Sequence, residues 1–84
     1  MVEHHPSSNP ILPPAIIGVV GGGQLGRMLA LAARAMGYRV RALCPDLDPP
    51  VAAAAEVVRA AYDDEAAVAT FLDGLGVLTW EFEN

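Results

Sequence analysis

The chain has no lysine, a single cysteine and no long apolar run, and each lack closes a possibility. Without lysine, the GxxxxGK[ST] phosphate-binding loop cannot be written. The lone thiol, Cys44, excludes an internal disulfide and fits a cytoplasmic protein. No uninterrupted apolar stretch approaches the roughly 20 residues that span a bilayer. The N-terminus also lacks the basic start and apolar centre of a secretory signal. Cations are scarce: five arginines face ten carboxylates, for a net charge of −5. General binding to nucleic acid or to an anionic membrane is therefore not expected. No Ser-His-Asp or Cys-His constellation is evident in the part expected to fold. His4 and His5 sit side by side in a Pro-rich stretch, and are read as incidental rather than metal-binding.

Among what is present, the distribution of proline comes first. Residues 1–14 hold four of the seven prolines, together with His, Ser and Asn, and present no regular hydrophobic face. They are expected to form a mobile arm. Residues 15–84 remain for one small domain of modest stability.

Within that domain, Ala15–Val20 is a continuous, partly β-branched apolar run, as suits a strand covered on both faces. Leu25, Met28, Leu29, Ala32, Ala33 and Met36 follow at helical spacing, a stripe of the kind that faces a core. Gly37 then stands where a helix ends in a left-handed turn. Tyr38–Cys44 reads as a second strand, closed by a loop containing Pro45, Pro49 and Pro50. A helical turn over Val51–Ala55 and a short strand over Val57–Ala60 come next. Asp63 or Asp64 can cap a helix running to about Leu72, with Ala67, Val68, Phe71 and Leu72 inward. Gly74 and Gly76 break that helix, and Val77–Trp80 is the fourth strand. The β-α-β-(turn)-β-α-β pattern implies an α/β fold with a parallel sheet, right-handed crossovers and strand order 3-2-1-4. The chain stops just after the fourth strand, before the next covering element, which is read as truncation of a larger protein.

In that order the first and fourth strands are neighbours, and ligands bind in the crevice beyond their carboxyl ends. Two segments fall there: Gly21, Gly22, Gly23, Gln24 and Leu25 after the first strand, and Glu81 to Asn84 after the fourth. Glycine admits close approach of backbone to a phosphate, and a helix N-terminus favours an anion. A carboxylate opposite can accept from an amine or hydroxyl of the same ligand, so the site suits a phosphorylated small molecule. Gln24 starts the helix with its amide toward the crevice, whereas Arg27 reads as solvated. Glu81 and Glu83 alternate, so one of them faces the ligand if the strand continues. Trp80 and Phe82 read as core or lid, and Cys44 as inert packing.

Gly21, Gly23 and Gly26 also spell GxGxxG, which raises the alternative of an NAD(P)-binding oxidoreductase domain. That reading needs an acid at the tip of the second strand, where Cys44 stands. Asp46 comes two residues later, beyond Pro45.

Three segments, IGVVGGGQLGRMLALAARAMGYRV, PDLDPP and the terminal LTWEFEN, together resemble the N-terminal domain of the N5-carboxyaminoimidazole ribonucleotide synthase family. These are ATP-grasp ligases of purine biosynthesis. The resemblance runs from about Ile16 to Asn84 and implies a Rossmann-like domain of the biotin-carboxylase N-terminal type, cut after its fourth strand. It implies a cytoplasmic enzyme, homodimeric at full length, that uses ATP, Mg and bicarbonate to carboxylate 5-aminoimidazole ribonucleotide. ATP and Mg are then held mainly by later domains, so the 84 residues alone are expected to be inactive. Carried onto this chain, the resemblance places Gly21–Leu25 against the ribonucleotide and lets Glu81 accept from its amine or ribose. Cys44 departs from the acidic residue expected there in many relatives, and the arm is longer than the family needs.

Overall fold

The computed structural model describes residues 2–3 and 11–80. It contains strand β1 (Val2–Glu3), strand β2 (Ile16–Val20), helix α1 (Gln24–Ala35) and strand β3 (Arg39–Cys44). A 3-10 turn (Pro50–Ala53), strand β4 (Glu56–Arg59), helix α2 (Glu65–Leu72) and strand β5 (Leu75–Trp80) follow. The sheet order is β1-β5-β2-β3-β4. The last four are mutually parallel and β1 runs antiparallel along β5. This is the α/β parallel sheet expected, with the first and fourth strands of its parallel part adjacent. Among the described residues no helix is long and apolar enough to cross a membrane.

The chain reverses at glycines where the sequence requires it. Gly37 has φ +92°, closing α1 with its N–H donating to the Arg34 carbonyl, and Gly74 has φ +77° between α2 and β5. At the start of α2 the cap is Asp64, whose Oδ1 accepts from the Ala67 N–H at 3.0 Å. Arg41 closes the other end. Its guanidinium donates to the carbonyls of Phe71 (3.1 Å) and Asp73 (2.6 Å) and pairs with Glu56 at 2.6 Å. The donated hydrogen bond and the charge of Arg41 hold the Glu56 carboxyl below the ordinary glutamate pKa.

Three expectations are corrected by packing. The face of α1 on the sheet is Gly26, Ala30 and Ala33, not the bulky stripe; of that stripe only Ala33 is buried. These small residues let the helix axis come close to Val19, Val40 and Ala42 of β2 and β3, and Leu25, Met28, Leu29 and Met36 are left outside. On α2, Phe71 is buried but Leu72 is 46% exposed, because the helix lies on the sheet by a narrower edge than its composition suggests. Gly76 does not precede β5 but lies within it. Ile16 pairs with Leu75 and Ile17 with Val77, so Gly76 is the extra residue of a bulge. A Cβ there would stand 3.2 Å from that of Ala15.

Part of the segment read as an arm lies on the domain. The Tyr38 hydroxyl donates to the Ile11 carbonyl at 2.8 Å, and Val2–Glu3 pair with Thr79 and Leu78.

Candidate functional site

The crevice at the carboxyl ends of β2 and β5 is built by pairing. Val20, the last residue of β2, lies opposite Trp80, the last of β5. The glycine loop therefore leaves the sheet beside the point where the chain leaves β5. Of the residues picked from the sequence, Gly21 to Leu25 are brought together here, whereas Glu81 lies outside the described residues, as does Glu83.

Each glycine of the loop does a different job. Gly21 has φ +120°, which L side chains rarely adopt, and its N–H donates to the Leu43 carbonyl at 2.9 Å. Gly22 is wedged against the second strand's tip. A Cβ on it would stand 2.6 Å from Cys44 Sγ and 2.9 Å from Pro49 Cβ. Its carbonyl accepts from the Val51 N–H at 3.1 Å. Gly23 is the N-cap of α1, in extended conformation, and offers no side chain to cap the helix. Gly26, last of the GxGxxG, is buried under α1 and serves helix–sheet packing.

The consequence is an open helix N-terminus. The N–H groups of Gln24, Leu25 and Gly26 have no acceptor within the helix. No acidic side chain stands in the first turn to neutralise the partial positive charge. Gln24 and Leu25 are exposed there. Arg27 is half-buried and, with Gln24, Asp48, Pro49 and Pro50, lines an open cleft of about 480 Å³ beside the loop. The geometry thus sets Arg27 at the margin of the site, where the sequence suggested only solvent.

Two parts of this arrangement escaped the sequence. The PDLDPP loop returns so that Pro49 is buried against Gly22 and Val51 is bonded to it. The signal available was Pro50 at the first position of a short helical turn, which fixes where that turn begins. Cys44 is fully buried, as expected of packing, and the surface it packs is the glycine loop itself. No carboxylate occupies the tip of β3, and Asp46 is exposed beyond Pro45. The acid that a dinucleotide ribose requires is thus displaced from the strand end.

Comparison with known proteins finds relatives that share this fold. Residues 15–84 match the domain family described as the ribonucleotide synthetase preATP-grasp domain. The chain is 43% identical over 75 residues to the N5-carboxyaminoimidazole ribonucleotide synthase of Bacillus subtilis, covering 88% of this chain and 20% of that protein. It is 48% identical over 69 residues to the Staphylococcus haemolyticus enzyme of the same name, covering 81% and 18%. The crystal structure of N5-carboxyaminoimidazole synthetase from Staphylococcus aureus complexed with ADP superposes with a TM-score of 0.84 at 45% identity. That match covers 92% of this chain and 21% of the other. The synthetase from Thermus thermophilus gives 0.77 at 46%, over 81% and 19%. The chain spans about a fifth of the length of the relatives it matches.

Proposed function

Since the chain belongs to the ribonucleotide synthetase preATP-grasp domain family, we propose that it supplies part of the ribonucleotide site of an ATP-dependent ligase. That ligase carboxylates 5-aminoimidazole ribonucleotide with bicarbonate to N5-carboxyaminoimidazole ribonucleotide. The observation that carries this reading is the pairing of Val20 with Trp80, which sets an uncapped helix N-terminus beside the exit of β5. Phosphate or ribose oxygens accept from the backbone N–H groups of Gln24 and Leu25, with the Gln24 amide as an adjustable partner. Gly21, Gly22 and Gly23 hold this backbone in place and keep side chains out of the way. Glu81 accepts from the amine or ribose of the same molecule, which fixes its orientation.

ATP and Mg are held mainly by other parts of the whole ligase. This chain has no lysine to hold a triphosphate, and among the described residues no three His, Cys, Asp or Glu stand close enough to hold a metal ion. Its share of the work is to bind and orient the substrate, and the 84 residues alone do not turn over. The whole protein is cytoplasmic and dimeric in this reading, and neither nucleic acid nor membrane is a partner.

The test is ADP release by the intact polypeptide. The expected outcome is release that is stimulated by bicarbonate and requires 5-aminoimidazole ribonucleotide. Absence of that stimulation, together with saturable NADH binding, would replace this reading with the NAD(P)-binding one, which the literal GxGxxG favours.

A further inference from the structure

Thr79 is the only buried polar or charged residue among the described residues, at 8% exposed. It stands in a row that strand pairing carries straight across the sheet. Thr79 lies opposite Val19, Val19 opposite Ala42, and Ala42 opposite Val57. In-register neighbours share one face of a sheet. That face is the one under α1, because Val19 and Ala42 are buried in one cluster with Ala30 and Ala33, and Val57 packs against it. The row is therefore apolar but for one hydroxyl. Valine would fill the same space, suit a strand equally well and bring no polar group to satisfy. Packing gives no reason for threonine here, and a local rule broken in this way marks a functional position.

The hydroxyl has no hydrogen-bond partner among the described residues. Every fully enclosed side-chain nitrogen or oxygen among them does have one, so the Thr79 hydroxyl keeps an opening. Thr79 is the last described residue of β5 on the α1 side, because Trp80 turns to the other face. Beside it on β2, the residue two beyond Val19 is Gly21, which carries no side chain to cover the row. We propose that this opening is the floor of the crevice, and that the Thr79 hydroxyl is a hydrogen-bonding group of the ribonucleotide site. A neutral hydroxyl both donates and accepts, which suits the neutral end of the ligand, a ribose hydroxyl or the amine. The glycine loop and the N-terminus of α1 take its anionic end. The inference rests on the ligase reading above and adds to it a residue and a division of labour.

Two substitutions divide this side chain between packing and chemistry. Thr79→Val keeps its shape and removes the hydroxyl, whereas Thr79→Ser keeps the hydroxyl and removes the methyl. Both are measured in the intact polypeptide, by denaturation without ligand and by calorimetric titration with 5-aminoimidazole ribonucleotide. Thr79→Val is expected to be at least as stable as wild type and to bind about tenfold more weakly. Thr79→Ser is expected to lose stability with its methyl and to bind as wild type does. A Thr79→Val protein of wild-type affinity would remove Thr79 from the site. One less stable than wild type would show that the hydroxyl is bonded within the protein, which also overturns the inference. Equal loss of affinity in both variants would assign the effect to packing and overturn it as well. Failure of wild type to bind the ribonucleotide would remove the ligase reading and this inference with it. Tight binding by wild type and Thr79→Val alike would remove only the inference.

Discussion

Helix α2 begins at Asp64, whose carboxylate takes the Ala67 N–H and satisfies a first-turn donor within the chain. Helix α1 begins at Gly23, which has no side chain with which to do the same, and no acidic residue follows in its first turn. The two helices cross to opposite faces of one sheet, and both follow a short turn. The α2 N-terminus is spent on stability, and Arg41 closes its far end as well. The α1 N-terminus lies at the topological switch point, with no side chain on its cap residue and no acidic residue in its first turn. An open terminus at a switch point is what an anionic ligand needs. A capped one elsewhere is structure.

The contrast can be broken in order of expected effect. Gly22→Ala should be the most damaging change, because it drives a methyl into Cys44 and Pro49. Overpacking of this kind costs about 1–3 kcal/mol. Here it should cut both stability in denaturant and ribonucleotide affinity, because the glycine loop is bolted to the Pro49–Val51 segment. Asp64→Ala should separate the two. Loss of the cap costs about 1 kcal/mol of stability, and titration of the intact protein should show unchanged ribonucleotide affinity. The smallest effect belongs to the Arg41–Glu56 pair, which is 58% exposed on the glutamate side. Its carboxyl has a lowered folded-state pKa, so its contribution is present above the ordinary 4.5 and fades as pH falls through the lower folded value. Glu56→Gln should therefore unfold somewhat earlier than wild type at neutral pH. The two denaturation curves should converge as the solution is acidified below about 4.5.

Much of this fold can be read in the residues. A continuous apolar run at Ala15–Val20 and an alternating, β-prone one at Tyr38–Cys44, with a helical pattern between them, mark a parallel β-α-β unit. The capping chemistry of Asp64 and the left-handed stop at Gly37 are local and therefore visible. The inward face of α1 is not, because periodicity weights large side chains. A helix lying close on a sheet selects small ones, and Gly26, Ala30 and Ala33 carry little hydrophobic signal. Gly76 reads as a breaker because a bulge and a turn use the same residue. At the site, the glycine loop and its neighbour strand follow from the topology. The bond from Val51 to Gly22 does not, since a backbone-to-backbone contact leaves no mark on residue type. Arg27 reads as solvated from the sequence because its cleft is formed by a loop more than twenty residues later.

The central claim is that the N-terminus of α1, which has no side-chain cap, takes the anionic substrate. Gly23→Asp tests it most directly, because the backbone there is already extended (φ −80°, ψ −164°) and suits a capping residue. The new carboxylate would accept from the first-turn N–H groups and place a negative charge where the ribonucleotide is proposed to lie. In calorimetric titration of the intact protein with 5-aminoimidazole ribonucleotide, affinity should fall about tenfold or more, about 1.4 kcal/mol. Stability should stay within a few tenths of a kcal/mol of wild type. Unchanged affinity in a protein of unchanged stability would contradict the claim and leave the glycine loop as a strand-to-helix turn and nothing more.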